Sequence, residues 1–437
     1  MISRFAILFL LLSPSLHALH DWTVLVYMAA DNDLGPFAYR NIAQMKRIGS
    51  NDNLTILVQI DLIDDDGKKV TRRYLVHQNG LEQIGPDMHV DCGEEQTLLD
   101  ALVWAHSYHS NHIGLIFWNH GSGDLNPLMG KALNTSQLFQ YNPEKKALIL
   151  DRSRSFLDFV EEQTQQKNKA RGICFNETTQ TYLDDEKLKN ALSLFHEYRG
   201  KRIDVIMFDA CFMAGMGTAW LLHEHVDYMV ASQEVELGTG YDYSEVLRPL
   251  LHKNLSPREW SSHVVCHFEN LYKKITPDYT HSAVDLSIIK KISRNIHDVA
   301  EMLNLSLLQQ KNDSVLAMLR HSRNKLLCTS FEEPSYIDLI HFYDNLERYS
   351  YMIQLETNVA TKQFRQRLQQ LIHDGKKLMQ DCIIHRVSGE NLPRAHGLSI
   401  YFPENALHSS YEKTLFAQNN NWLNFLKTYC HLTNLTN

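Results

Sequence analysis

Two stretches carry residues that can do chemistry together, "FDACFMAG" (208–215) and "IFWNHG" (116–121). The first places Asp209 two residues before Cys211 in apolar surroundings. Upstream, "RIDVIM" reads as a buried strand; downstream, "GTAWLLHEH" reads as a helix, so a thiol and a carboxylate arrive together at a strand-to-helix junction. The second stretch ends a core strand on His120. Ligands of open α/β sheets bind beyond the carboxyl ends of the strands. If these two strands are parallel neighbours, imidazole and thiol emerge on one edge. His120 can then take the thiol proton, the thiolate can attack a carbonyl carbon, and the imidazolium can protonate the leaving amine. Cys211 is expected at or near a helix start, where the backbone dipole favours the thiolate. Gly121 lets the backbone approach a substrate closely, and its N–H, with that of Cys211, suits a developing oxyanion.

Plainer readings stand beside these. A lone cysteine after a core strand is usually packing. His120 is one of 23 histidines. Asp209 is also placed to cap the helix that follows. Residue types alone leave both readings open.

The elements that must position these groups follow an alternating pattern. "WTVLVYMAA" (22–30) and "LTILVQID" (54–61) are buried strands separated by a helix over "DNDLGPFAYRNIAQMKRIGS". Asp66-Gly67 marks a hairpin turn, "EEQTLLDALVWAHSYH" an amphipathic helix, and "IGLIFWNHG" (113–121) a third core strand. Residues 122–172 are polar and weakly periodic, and a loop of this length is usually functional. "YLDDEKLKNALSLFHEY" reads as a capped helix and "VDYMVASQEVELGTG" (226–240) as another strand. From 286 to 390 the pattern is mostly helical, with a late strand near 397–402 and a last helix over 411–429. Alternating strands and helices predict an α/β fold with a mostly parallel sheet flanked by helices. The division expected is a leader over 1–18, a core over 19–285 and a helical C-terminal part over 286–437.

Composition narrows the function classes. The 437 residues are 44% hydrophobic and 22% charged with a net charge of -8, and no basic block offers nucleic acid a binding surface. "MISRFAILFLLLSPSLHALHDW" has the layout of a secretory signal peptide, with Arg4, the apolar run Phe5–Leu12 and the small residue Ala18. The mature chain is therefore expected to be secreted or periplasmic, with no transmembrane segment. Seven scattered cysteines form no C-x-x-C pair, which argues against structural zinc. "DLIDDDG" (61–67) offers oxygens for Ca2+, but the spacing fits no EF-hand loop. "HEHVD" (223–227) lacks metal-ligand spacing, so no metal and no cofactor is required.

"WTVLVYMAADNDL", "GLIFWNHGSG", "IDVIMFDACFMAG", "DYMVASQEVELGTGYDY" and "HGLSIYFP" together resemble the clostripain family of cysteine peptidases, in the family's order and across residues 21 to 430. That resemblance implies a caspase-like fold, with His120 and Cys211 as the catalytic pair and Asp209 lining the primary specificity pocket. It implies polypeptide substrates with Arg or Lys before the scissile bond. It also implies maturation by self-cleavage in the 122–172 segment, at one of Lys145, Lys146, Arg152, Arg154, Lys167, Lys169 or Arg171. Asp124 and Leu125 depart from the aromatic residue that often follows the family's His-Gly-x-Gly. The alternatives are a catalytically silent peptide-binding relative and an esterase or amidase using the same pair.

Overall fold

The longest apolar runs build the centre of the molecule, because each fully buried Val, Leu or Ile contributes about 1.5–3 kcal/mol and a strand buried on both faces needs them at every position. A computed structural model describes residues 20–125, 138–152 and 172–435, apart from 177, 253, 310–312 and 356. The expected leader lies outside the described residues. The strands in order are β1 (His20–Ala29), β2 (Leu54–Ile63), β3 (Lys69–His77), β4 (Gly80–Gln83), β5 (Ser110–Trp118), β6 (Phe139–Asn142), β7 (Ala147–Leu150), β8 (Gly172–Asn176) and β9 (Thr181–Asp184). They continue with β10 (Ile203–Asp209), β11 (Val226–Ala231), β12 (Thr280–Asp285), β13 (Tyr336–Asp338), β14 (Ile383–Ser388) and β15 (Ser399–Tyr401).

Nine of these form one sheet in the order β14-β12-β11-β10-β5-β1-β2-β3-β4. Its five central strands, β11 to β2, are parallel, while β3 and β4 fold back at one edge and β12 and β14 run antiparallel at the other. All seven residues of β10 are buried, as are eight of the ten of β1. Helices α1 (Gly35–Ile48), α2 (Glu95–His106), α3 (Asp185–Arg199), α4 (Met216–Leu222), α5 (Tyr243–Leu247) and α6 (Pro257–Tyr272) connect and flank these strands. Helices α7 (Ile289–Leu307), α8 (Asp313–Arg323), α9 (Leu339–Tyr349), α10 (Asn358–Cys382), α11 (Leu415–Gln418) and α12 (Trp422–Leu435) make up most of the C-terminal part. The fold is α/β with a mostly parallel central sheet, as the alternating pattern predicts.

From β1 the chain moves to β2 on one side and later returns to β5 on the other. This places a topological switch point between the carboxyl ends of β1 and β5, where an open sheet leaves a crevice.

One expectation is corrected. The helix after Cys211 begins only at Met216, with Gly215 as its N-cap, so no helix start adjoins the thiol. Phe212 instead turns the chain sharply with φ +61°, a strained value for a bulky residue. The stretch 286–390 is mostly helical, as expected, with the short strand β13 inside it and "IIHRVS" closing it as edge strand β14. The late strand β15 joins β13 in a separate two-stranded sheet, and Ser399 bridges Gly215. Within 122–172, residues 139–150 form the hairpin β6–β7.

Candidate active site

Register brings the two reactive residues together. β5 and β10 are parallel neighbours and Trp118 pairs with Asp209, so His120 and Cys211 each lie two residues beyond the same rung. Both line one cleft, with Leu34, Asp209, Glu236 and Gly240. The cleft is narrow, with room for roughly one water. Gly121 bridges Ile173, and a side chain on it would collide with the Cys211 carbonyl oxygen, so only glycine fits this approach.

Asn119 sets His120 in place. Its Nδ2 donates to the Ala29 carbonyl at the end of β1 (2.6 Å), and its Oδ1 accepts the Phe175 N–H from β8 (2.8 Å). The imidazole Nε2 meets Asp33 Oδ1 at 2.7 Å; the His120 side chain is 2% exposed and that of Asp33 22%. An ionised carboxylate can only accept, so Nε2 carries the hydrogen and Nδ1 is left as the basic nitrogen.

The thiol has a different set of partners. Cys211 Sγ accepts the Glu236 N–H at 3.2 Å and lies 3.8 Å from the Glu236 carbonyl oxygen, with no hydrogen bond to His120. Burial pushes the thiol well above its ordinary range, and the carboxyls of Glu236, Glu332 and Glu234 push it further against the one favourable backbone N–H. The expectation of a thiolate favoured by a helix dipole is thereby overturned: the resting sulfur is protonated.

Asp209 is buried and caps no helix. Its Oδ2 accepts the Tyr243 hydroxyl (2.9 Å) and the Tyr241 N–H (3.3 Å). Gly240, at φ +54°, packs so closely on the carboxylate that a side chain there would overlap it. Burial raises Asp209 to about 6 despite these donors. The Glu236 carboxyl is buried with neither oxygen hydrogen-bonded; burial and the Asp209 charge push it far up. Asp209 is thus the anion of the pair and Glu236 the proton carrier. Behind them His281 Nδ1 stands 3.4 Å from Glu236 Oε1 while its Nε2 meets the Tyr241 hydroxyl at 2.9 Å, and burial lowers the ring to about 3, so it is neutral. Among the described residues that line it, the cleft presents two carboxyls and no Lys or Arg.

Glu236 and Asp33 escape a sequence reading. Glu236 lies in a run that reads as strand but leaves the sheet after Ala231, and Asp33 reads as part of a turn before α1. The acids of "DLIDDDG" separate in the structure. Asp61 is buried against Lys69 (2.9 Å), whereas Asp64 closes the hairpin turn by accepting from Asp66 and Lys68 N–H. Asp61, Asp91 and Cys92 bring potential ligand atoms within 4.8 Å of one another, with the Lys69 ammonium supplying positive charge beside Asp61.

The sequence model of the clostripain family matches residues 26–132 and 131–429. The chain belongs to the clostripain family of cysteine peptidases. A secreted C11 cysteine protease from Bacteroides thetaiotaomicron, solved with an irreversible peptide inhibitor, superposes with a TM-score of 0.58 at 16% identity, over 92% of this chain and 98% of that one. An inactive zymogen C11 protease from Parabacteroides distasonis gives 0.55 at 16% identity, over 93% and 98%. At these identities the likeness speaks for a shared caspase-like fold. No curated protein matches the sequence. Among the described residues no helix is long and apolar enough to cross a membrane.

Proposed function

We propose that this clostripain-family peptidase is an exported endopeptidase that cleaves after Arg or Lys through Cys211 and His120. One observation carries the reading: Trp118–Asp209 register puts imidazole, thiol and the buried Asp209–Glu236 pair in one cleft. His120 Nδ1 takes the thiol proton, and Sγ adds to the scissile carbonyl carbon. The N–H groups of Gly121 and Cys211 hold the oxyanion, and the imidazolium gives its proton to the departing amine. Water then hydrolyses the thioester with His120 again as base. Asp209 accepts the guanidinium or ammonium of the residue before the cut through charge-assisted hydrogen bonds. No cofactor enters these steps.

The narrowness of the cleft, with room for roughly one water, suits an uncut precursor. We assign maturation to a cut between the histidine and cysteine strands. Of the seven basic candidates, Arg154, Lys167, Lys169 and Arg171 lie outside the described residues. Of the three described, Arg152 is the least suited, being tied to Glu234 and Asp278.

The test is a set of fluorogenic peptides differing only in the residue before the cut, assayed with the wild type, Cys211→Ala and His120→Ala. Arg and Lys peptides should be cleaved by the wild type alone. Cleavage surviving in either variant, or a neutral residue preferred over Arg, removes the proposal.

A further inference from the structure

We infer that Asp33 is the positioning residue of the catalytic pair, fixing which imidazole nitrogen faces Cys211 and supporting the charge that His120 acquires. This rests on the Cys211–His120 reading above. The supporting geometry is local and over-determined. Asp33 sits in the turn that leaves β1, at the switch point between β1 and β5, and its Oδ1 lies 2.7 Å from His120 Nε2. The turn itself is held by its neighbour instead. Asn32 Oδ1 accepts the Leu34 N–H (3.0 Å), Asn32 Nδ2 reaches the Ala29 and Phe175 carbonyls (3.1 and 3.4 Å), and Gly35 N–H donates to the Asn32 carbonyl (3.0 Å). The Asp33 carboxylate is therefore free to serve the ring.

The same division of labour recurs across the switch point. In Asn32-Asp33 and in Asn119-His120 the asparagine ties backbone to the Ala29 carbonyl, and the residue after it extends toward the opposite pair. Two anchored dipeptides thus meet through one hydrogen bond. A group held this way is set before substrate arrives, which is what a general base needs.

The consequence is both geometric and electrostatic. With Nε2–H engaged, Nδ1 is the nitrogen that can accept the thiol proton. Once it has done so, the ring is cationic and Asp33 is the carboxylate that its Nε2–H meets. The other titratable groups that line the cleft with the ring are Cys211, Asp209 and Glu236.

The experiment compares matured full-length enzyme with Asp33→Asn and Asp33→Ala on an Arg peptide, across pH, with thermal unfolding and titration by an irreversible Arg-directed thiol reagent as controls for folded sites. In Asp33→Ala, kcat should fall about ten- to a hundredfold with KM within about twofold. Asn keeps an acceptor for Nε2–H, so Asp33→Asn should recover part of the kcat that Asp33→Ala loses. Equal kcat in Asp33→Asn and Asp33→Ala, or a kcat that falls only in step with Tm and titre, overturns the inference. If His120→Ala stays active, the catalytic pair falls first; if His120→Ala is dead and Asp33→Ala behaves as wild type, this inference alone is wrong.

Discussion

Arg152, in the segment between the histidine and cysteine strands, sets its Nη2 3.0 Å from Glu234 Oε2 and 3.6 Å from Asp278 Oδ1. Glu234 is fully buried, two residues from the backbone N–H that holds the Cys211 sulfur, and its Oε1 accepts the Val235 and Glu332 N–H groups. Removing the guanidinium leaves a buried carboxylate with backbone donors but no cation. Arg152 is 38% exposed, so water screens part of the pair. Arg152→Ala should lower stability by about 1–2 kcal/mol, and adding Glu234→Gln should recover most of that loss. Urea unfolding in a Cys211→Ala background, where self-cleavage cannot intervene, measures both. Equal stability of Arg152→Ala and its parent would show that the clasp carries no energy.

The thiol environment makes a second prediction. Cys266 is exposed, whereas Cys211 and the other five cysteines are buried and free. Cys211 is also surrounded by carboxyls that oppose its ionisation. Since the thiolate is the reactive form, iodoacetamide at neutral pH should modify Cys266 at least about tenfold faster than Cys211 in the uncut chain. Peptide mapping by mass spectrometry reads the two rates. If Cys211 were labelled first, the resting sulfur would already be activated, and the protonated state described above would be wrong.

The centre of the fold was legible because burial on both faces demands continuous apolar runs, and "VLVYMA", "TILVQI", "LIFW" and "VIMF" have no other stable place. The placing of His120 and Cys211 on one edge followed because neighbouring parallel strands end together, whereas a pocket role for Asp209 is implied only by the family resemblance. Three features were hidden, each for a physical reason. β14 continues from a 25-residue helix with no Gly or Pro between them, so only its edge pairing with β12 marks the change. The delayed helix start depends on a positive φ at Phe212, which no propensity rule anticipates for that residue. Glu236 and Asp33 sit on loops placed by tertiary contacts, the Glu236 N–H to the Cys211 sulfur and the Asp33 carboxylate to His120, more than 20 and 80 residues away in sequence.

Gly121 provides a third test. Its lack of a side chain is required by the Cys211 carbonyl oxygen, which is backbone and cannot swing aside. Gly121→Ala should force the β5 and β10 ends apart, lowering kcat/KM about a hundredfold, since small displacements of catalytic groups have effects of that size. Circular dichroism and Tm check that the fold persists. Wild-type kcat/KM in a folded Gly121→Ala enzyme would show that this close approach does not set the catalytic geometry.

Asp209 couples specificity to stability. Its carboxyl titrates at about 6 in the folded protein, above its ordinary value of 3.8, because burial outweighs the Tyr243 and Tyr241 donors. The folded state therefore holds this proton more tightly than the unfolded state. Stability associated with the group is full below about pH 4 and is lost as pH rises through about 6. Asp209→Asn removes the titration while keeping an acceptor for the Tyr243 hydroxyl. Above pH 7 it should be more stable than the parent by about 1–3 kcal/mol, from a raise of roughly two units, with the difference vanishing below pH 4. The same change should abolish the preference for Arg, since the cation loses its anionic partner. Denaturation of Cys211→Ala with and without Asp209→Asn from pH 4 to 8 gives the first result, and peptide profiles of the active enzymes the second. An Asp209→Asn enzyme that gains stability yet keeps full Arg preference would mean that the carboxylate is buried for a reason other than substrate recognition.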